Sequence, residues 1–373
     1  MQQRIITARE HYIELDNWIK EKDCRKLLIV CDASIGFMDD FNKHVEEMQK
    51  DGIKIFRFQD FQSNPLYESV VKGVELFRKE KCDGVIAVGG GSAMDVAKCI
   101  KLYTNLPDNG KNGGWLTAEI VPNTIPFLAM PTTAGTGSEA TRYAVIYYDG
   151  KKQSVTNPSF IPETVLMDPN TLKTLPLYQK KATMMDALCH AIESFWSVNS
   201  TDESKVYSRE AIKGVLEYME GYLANTEEGN AGMLRAAYIA GKAINITQTT
   251  AGHAMCYKIT SLFKCAHGHA AILCDRALYL WMINHTDKCI DPRGEKYLRD
   301  ALDKIGQAMG CANAKTGAEK LSEIFDRLEF AVPKASDEQY VELKMSVNPV
   351  RLKNHPIAMD IETIDALYHE ILR

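Results

Sequence analysis

The sequence predicts an α/β domain built on a parallel sheet, followed by an all-α domain. Three observations predict it. Short apolar runs alternate with amphipathic stretches through the first half of the 373 residues. Strand-like segments fade after Pro176. Long stretches with apolar residues three and four apart fill the remainder, the spacing of a helix with one buried face. A chain of this length exceeds one ordinary domain. The boundary falls near LKTLPLYQ, giving an α/β domain over 1–176 and a helical domain over 177–373.

The elements follow in order. KLLIVCD is an apolar run ending in an acid, a buried strand, and FNKHVEEMQKDG is an amphipathic helix ended by Gly52. IKIFRFQ is the next strand and YESVVKGVELFRKEKC the next helix. DGVIAVGGGS runs from a strand into a glycine turn, AMDVAKCIKLY is a helix, and PFLAMPTTAGTGSE is a further strand and loop. Strands alternating with helices imply a parallel sheet covered on both faces. Ala144–Gly150 followed by Lys151–Ser154 reads as a hairpin turning at Asp149–Gly150. Beyond Pro176, segments such as KKATMMDALCHAIESFWS, DESKVYSREAIKGVLEYMEGYLA and IETIDALYHEILR read as helices. No internal repeat or low-complexity segment interrupts them.

Composition excludes several functions. A 45% hydrophobic, 25% charged chain buries a large core. A net charge of −5 with no basic run argues against nucleic-acid binding. MQQRIITAREHYIELDNWIK has neither the apolar core nor the cleavage site of a signal peptide. No apolar run is long enough to span a membrane. Ten cysteines without a CxxC pair read as reduced, cytoplasmic thiols.

Two sets of residues carry chemistry. Asp186 and His190 lie four apart in MMDALCHAIE, which puts both side chains on one helix face. His253 and His267, fourteen apart, complete three nitrogens and one oxygen, a set suited to Fe(II) or Zn(II). Cys256 and Cys265 lie between the two histidines and are possible competitors for such a cation. The second set lies in the first half. Gly89, Gly90, Gly91 and Ser92 follow the strand VIAV and open a helix carrying Asp95 and Lys98. Glycines there let a pyrophosphate approach the backbone, and the helix N-terminus supplies free amides. The spacing fits neither GxGxxG nor the Walker pattern. A second small-residue loop, Thr132, Thr133, Ala134, Gly135, Thr136, Gly137 and Ser138, follows another strand, so the pair suggests a dinucleotide crevice. Asp32 ends the first of these strands. It either accepts hydrogen bonds from an adenine-ribose diol, favouring NAD over NADP, or caps the segment that follows.

Together these motifs resemble the iron-containing, or group III, alcohol dehydrogenases. The resemblance spans nearly the whole chain: GGGSAMDVAK, PTTAGTGSEAT, PETVLMDP, DALCHAIE, the HAM segment at His253, AHGHA around His267, and Asn64–Pro65. It implies the dehydroquinate synthase-like fold of that family, with a dinucleotide-binding domain, a helical domain and an active site in the cleft. It implies metal ligands at Asp186, His190, His253 and His267, and cofactor contacts at Asp32, Asn64, Gly89 to Ser92, Asp95, Thr132, Thr133, Thr136 and Ser138. Fe(II), with Zn(II) as the alternative, and NAD(H) are the cofactors it implies, with a small aldehyde or alcohol as substrate and a homodimer as the assembly.

The departures are specific. Many members carry a proton-relay histidine four residues after the third ligand; here it is Tyr257, whose hydroxyl or a water would take the role. Ala266 replaces a proline before the last ligand, and Cys274–Asp275 replaces another after the AIL run. His269 is a further candidate catalytic residue two positions after His267. Arg142 and Tyr143 follow the SEAT segment, and Lys258 follows Tyr257. A guanidinium at 142 either holds a carboxylate or phosphonate through paired hydrogen bonds or forms a surface salt bridge. SEATRYAVIYYDG with GHAMCYKITSL is most similar to the phosphonoacetaldehyde reductase branch, which makes 2-hydroxyethylphosphonate. The rival readings are a general short-chain alcohol or diol dehydrogenase, a dehydroquinate synthase-like or glycerol dehydrogenase-like relative, a metallohydrolase, and a non-catalytic nucleotide-binding protein.

Overall fold

The computed structural model describes residues 3–107 and 110–372. It divides into two compact units. One runs to Thr133 and resumes from Ser138 to Leu175; the other holds Ala134–Gly137 and the chain from Pro176 onward.

In the first unit, β1 (Arg4–Thr7) leads to α1 (Ile13–Glu21), β2 (Lys26–Cys31), α2 (Asp39–Lys50) and β3 (Lys54–Phe58). Then come α3 (Tyr67–Glu80), β4 (Gly84–Gly89), α4 (Gly91–Tyr103) and β5 (Phe127–Pro131). The hairpin β6 (Tyr143–Tyr148) and β7 (Lys151–Thr156) precedes β8 (Thr164–Met167). The six-stranded sheet runs β1-β8-β5-β4-β2-β3, and every neighbouring pair is parallel. Beyond Lys26, the positions of β2, β4 and β5 carry no polar side chain, because both faces are covered. Leu28, Val30, Val85, Ala87, Phe127 and Ala129 join the core with α3 and α4. Leu27, Ile29, Cys31, Ile86, Val88, Leu128 and Met130 join the core with α1 and α2. The period of two therefore divides each strand between two cores. Asp149 and Gly150 both take positive φ (50° and 67°), the backbone that a two-residue hairpin loop requires.

The chain builds outward from β2 to β3 and then returns past β2 to β4 and β5. The order reverses between β2 and β4, so the loops leaving their C-terminal ends splay apart there. Those loops are Asp32–Ser34, Gly89–Ser92 and Thr132–Thr133. The two strands β1 and β8 are additions to the sequence reading, which left RIIT unassigned and quoted TVLM only inside a motif.

The second unit is helical among the described residues, apart from an isolated bridge between Cys289 and Ile357. Its helices are α5 (Leu177–Trp196), α6 (Asp202–Leu223), α7 (Glu227–Thr247), α8 (Ala251–Phe263) and α9 (His267–Asn284). They continue as α10 (Glu295–Ala308), α11 (Ala314–Arg327), α12 (Asp337–Ser346), α13 (Pro349–Leu352) and α14 (Ile361–Ile371). The α5 helix is buried almost continuously from Ala182 to Trp196 and packs on α6, α7 and α9. Gly221 and Gly229 let α6 and α7 approach so closely that a Cβ on Gly229 would lie 2.1 Å from the Gly221 carbonyl carbon. The fold is thus an α/β unit with a parallel sheet plus an all-α unit, as the sequence predicts.

Candidate active site

Three turns of helix in the second unit converge on one point. On α5, Asp186, His190 and Glu193 share a face by their spacing. His253 sits in the first turn of α8, and His267 is the first residue of α9. The Asp186 Oδ1 lies 3.4 Å from His253 Nε2 and 3.8 Å from His267 Nε2. One donor atom from each of these three residues falls within 4.8 Å of the others. His190 stands outside that cluster but beside it, its ring stacked on His253 at 4.5 Å and 17°. The His190 Nδ1 is buried and has no hydrogen-bond partner among the described residues.

Glu193 organises the set. Its Oε1 takes the Nδ1 proton of His253 and accepts from the His253 backbone amide at 3.0 Å. Its Oε2 accepts from the Thr250 amide and from the Thr250 hydroxyl at 2.7 Å. Holding Nδ1–H orients the ring and turns the His253 Nε2 toward Asp186, where a cation would replace its proton. Burial alone would raise the Asp186 carboxyl, but His190, His253 and His267 outweigh it and hold it well below the usual carboxylate range. Burial would likewise lower the His253 imidazolium, yet Glu193 and Asp186 overcome it and raise it. The two shifts describe a carboxylate and an imidazole that hold each other in their charged forms inside the core. Three converging donors and an unpartnered His190 nitrogen fit a divalent ion of the Fe(II) or Zn(II) type.

The pocket is closed on the Asp186 and His253 side and open at His267. Their side chains are 4% and 1% exposed, against 35% for His267. Tyr257 stacks on the His267 ring at 5.3 Å and 19°, and Cys256 Sγ lies 3.6 Å from His267 Nδ1. Burial pushes the Tyr257 phenol well up, and Arg351 pulls it only partly back. Behind His253 lies Asp275, fully buried, with the Cys189 thiol as its neighbour. Burial and the Glu193 charge hold its carboxyl far above the usual range. Gly252 is required beside it, since a Cβ there would lie 1.8 Å from Asp275 Oδ1.

In the first unit, Gly89 takes φ +154°, and Gly90 stands as the cap of α4. The Asp32 Oδ1 accepts from the Ser34 amide at 2.9 Å, and its Oδ2 accepts from the Gly90 amide at 3.0 Å. Asp32 thus caps its own segment and also ties the first loop to the glycine turn. Thr132 donates its amide to the Gly89 carbonyl at 3.0 Å and pairs its hydroxyl with Ser34 at 3.1 Å. Thr133 lies against Gly90, 3.3 Å from where a Cβ would stand. These residues gather at the C-terminal end of β2, β4 and β5, next to the free amides of α4.

Other candidates are differently engaged. Asp95 accepts from the Ser138 hydroxyl and the Val145 amide, both at 2.9 Å. The buried Lys98 donates to Ser138 O (2.7 Å), Ser138 Oγ (2.8 Å), Thr141 Oγ1 (3.2 Å) and Tyr143 O (2.7 Å). Burial lowers Lys98 to about 8. This network anchors the SEAT segment from inside. Asn64 is exposed on a loop with φ 60°, and Thr136 lies in the short stretch that packs with the helical unit. Arg142 donates Nε to the Tyr143 hydroxyl at 3.3 Å and lies over its ring. Lys258 is ion-paired with Glu342. His269 contacts Tyr178 OH through Nδ1 at 3.0 Å and Ala331 O through Nε2 at 2.9 Å, and stacks on Phe330. Both its nitrogens are used in packing the helical unit. Sequence reasoning missed Glu193 as the partner of His253, although its place on the Asp186–His190 face was visible.

Comparison with known proteins agrees with this architecture. The profile described as iron-containing alcohol dehydrogenase matches residues 2–169, and that of the family's C-terminal region matches residues 180–334. The chain is 32% identical over 267 residues to an NAD-dependent methanol dehydrogenase of Bacillus methanolicus, covering 68% of each protein. It is 31% identical over 262 residues to a phosphonoacetaldehyde reductase of Streptomyces viridochromogenes, covering 66% of each. The crystal structure of sulfoacetaldehyde reductase from Bifidobacterium kashiwanohense in complex with NAD+ superposes with a TM-score of 0.87 at 25% identity, over 99% of this chain and 97% of that one. The chain is therefore a member of the iron-containing alcohol dehydrogenase family.

Proposed function

We propose that the protein is a metal-dependent, NAD(H)-linked alcohol dehydrogenase working as an aldehyde reductase on small substrates. The observation that carries this is the convergence of Asp186, His253 and His267, with Glu193 orienting the ring of His253. Asp186, His190, His253 and His267 would hold the cation, Fe(II) first and Zn(II) as the alternative the donors also accept. Such an ion supplies Lewis acidity to a substrate oxygen, and NAD(H) exchanges the hydride. The open side at His267 admits the substrate. Tyr257 stacks on that ring, at the position where the family resemblance expects a relay histidine; its hydroxyl, or a water beside it, would exchange the proton. Gly89 to Ser92 and the amides of α4 would take the pyrophosphate. The Asp32 carboxylate would repel a 2′-phosphate, which favours NAD over NADP.

The substrate reading is a short aldehyde with an anionic tail, such as phosphonoacetaldehyde. Two similar proteins carry names of that chemistry, phosphonoacetaldehyde reductase and sulfoacetaldehyde reductase. A homodimer is the proposed assembly.

The test is NADH oxidation by the Fe(II)-reconstituted protein with a panel of short aldehydes. Turnover that a chelator abolishes and Fe(II) restores is expected. Fully metal-loaded, NADH-binding protein that reduces none of them would overturn the reading.

A further inference from the structure

We propose that Arg351, rather than Arg142 or Lys258, reads the anionic tail of the substrate. The inference rests on the aldehyde reductase reading above and adds the residue that selects the substrate class: short aldehydes ending in a phosphonate, sulfonate or carboxylate.

Arg351 lies on α13, past residue 334, where the family profile ends. Its guanidinium carbon stands 5.3 Å over the Tyr257 ring, and that ring is stacked on His267. The cation is thus two ring contacts from a proposed metal ligand. Its hydrogen bonding is thin. Nη1 donates to Thr249 Oγ1 at 3.3 Å, and no carboxylate pairs with it among the described residues. Compare Arg293, which is answered by both oxygens of Asp291 and by three backbone carbonyls. A half-buried guanidinium without a counter-anion leaves planar donors for an oxyanion, which a phosphonate or sulfonate accepts through two parallel bonds.

The placement is built rather than incidental. Asn354, one turn on, donates to Gln248 Oε1 and Thr249 O at 3.1 Å each. Its carbonyl accepts from Val198 at 3.0 Å. Asn348 caps the start of α13 by accepting from Val350 N at 2.9 Å. The helix is therefore pinned to the turn that leads into His253. Lys258, the cation next to Tyr257 in α8, already has Glu342.

The test uses the Fe(II)-loaded holoenzyme and two substrates, phosphonoacetaldehyde and butanal, with Arg351→Met, Arg351→Lys and Arg142→Met. The expected result is a kcat/KM ratio of phosphonate to neutral aldehyde of about a hundred or more in the wild type. Arg351→Met should cut that ratio at least thirtyfold, mainly through KM of the phosphonate, and Arg351→Lys should restore part of it. Calorimetric binding of ethylphosphonate to the holoenzyme should weaken in parallel. If Arg351→Met does not fold, the loss of bidentate geometry in Arg351→Lys carries the test, with phosphonate KM raised about tenfold. An unchanged ratio in metal-replete Arg351 variants, or a collapse in Arg142→Met alone, overturns the inference. Equal wild-type activity on both aldehydes also overturns it while leaving the reductase reading intact; no activity on either overturns that reading instead.

Discussion

The carboxylate of Glu193 on α5 holds the Nδ1–H of His253 on α8, a residue 60 positions away. The same carboxylate also takes the Thr250 amide and hydroxyl, so one side chain ties the start of α8 to α5.

Glu193→Gln should therefore weaken metal binding without unfolding the protein. A carboxamide keeps the shape but loses the charge that orients and polarises the imidazole. Loss of such a partner typically costs 10- to 100-fold in metal affinity. Competition against a chromogenic chelator measures this, with circular dichroism as the control for folding. Unaltered affinity in a folded variant would show that Glu193 serves packing alone.

Asp32→Asn should change cofactor preference. The substitution retains an oxygen for the Gly90 or Ser34 amide but removes the charge that, on the proposed reading, would face a 2′-phosphate. The ratio of kcat/KM for NADH over NADPH should fall about tenfold or more. A purely structural cap would weaken both cofactors equally and leave the ratio where it was.

His355 should make the protein acid-sensitive. It is fully buried, neither ring nitrogen has a hydrogen-bond partner among the described residues, and burial lowers it to about 4. The unfolded chain binds this proton at the ordinary value of 6.5, above the folded one. The group's contribution is thus fully present above 6.5 and is lost as pH falls toward 4, at up to about 1.4 kcal/mol per pH unit. In His355→Leu, urea midpoints should decline less than those of the wild type between these limits. Parallel decline in both proteins would refute this assignment.

Much of the architecture was legible in the chain. The continuous apolar character of KLLIV and VIAV announced strands buried on both faces, and the structure assigns alternate residues to two cores. The pairing of Asp186 with His190 follows from helical periodicity, and the structure brings Asp186 to His253 and His267. The strands β1 and β8 escaped because four residues are too few to establish a period, and their partners are far apart in sequence. Arg351 escaped for a related reason. Nothing in PVRL marks it, and its place over Tyr257 comes from α13 packing near α8.

The placement of His267 at the first position of α9 has a kinetic consequence. Asp186 lies inside α5, and His253, though in the first turn of α8, is buried and held by Glu193 through both its amide and its ring, so freeing either would require opening the core of the helical unit. His267 sits at a helix terminus, where local opening is least costly. Entry and exchange of a cation would then proceed through this one hinge-like donor, on the timescale of end fraying rather than of global unfolding.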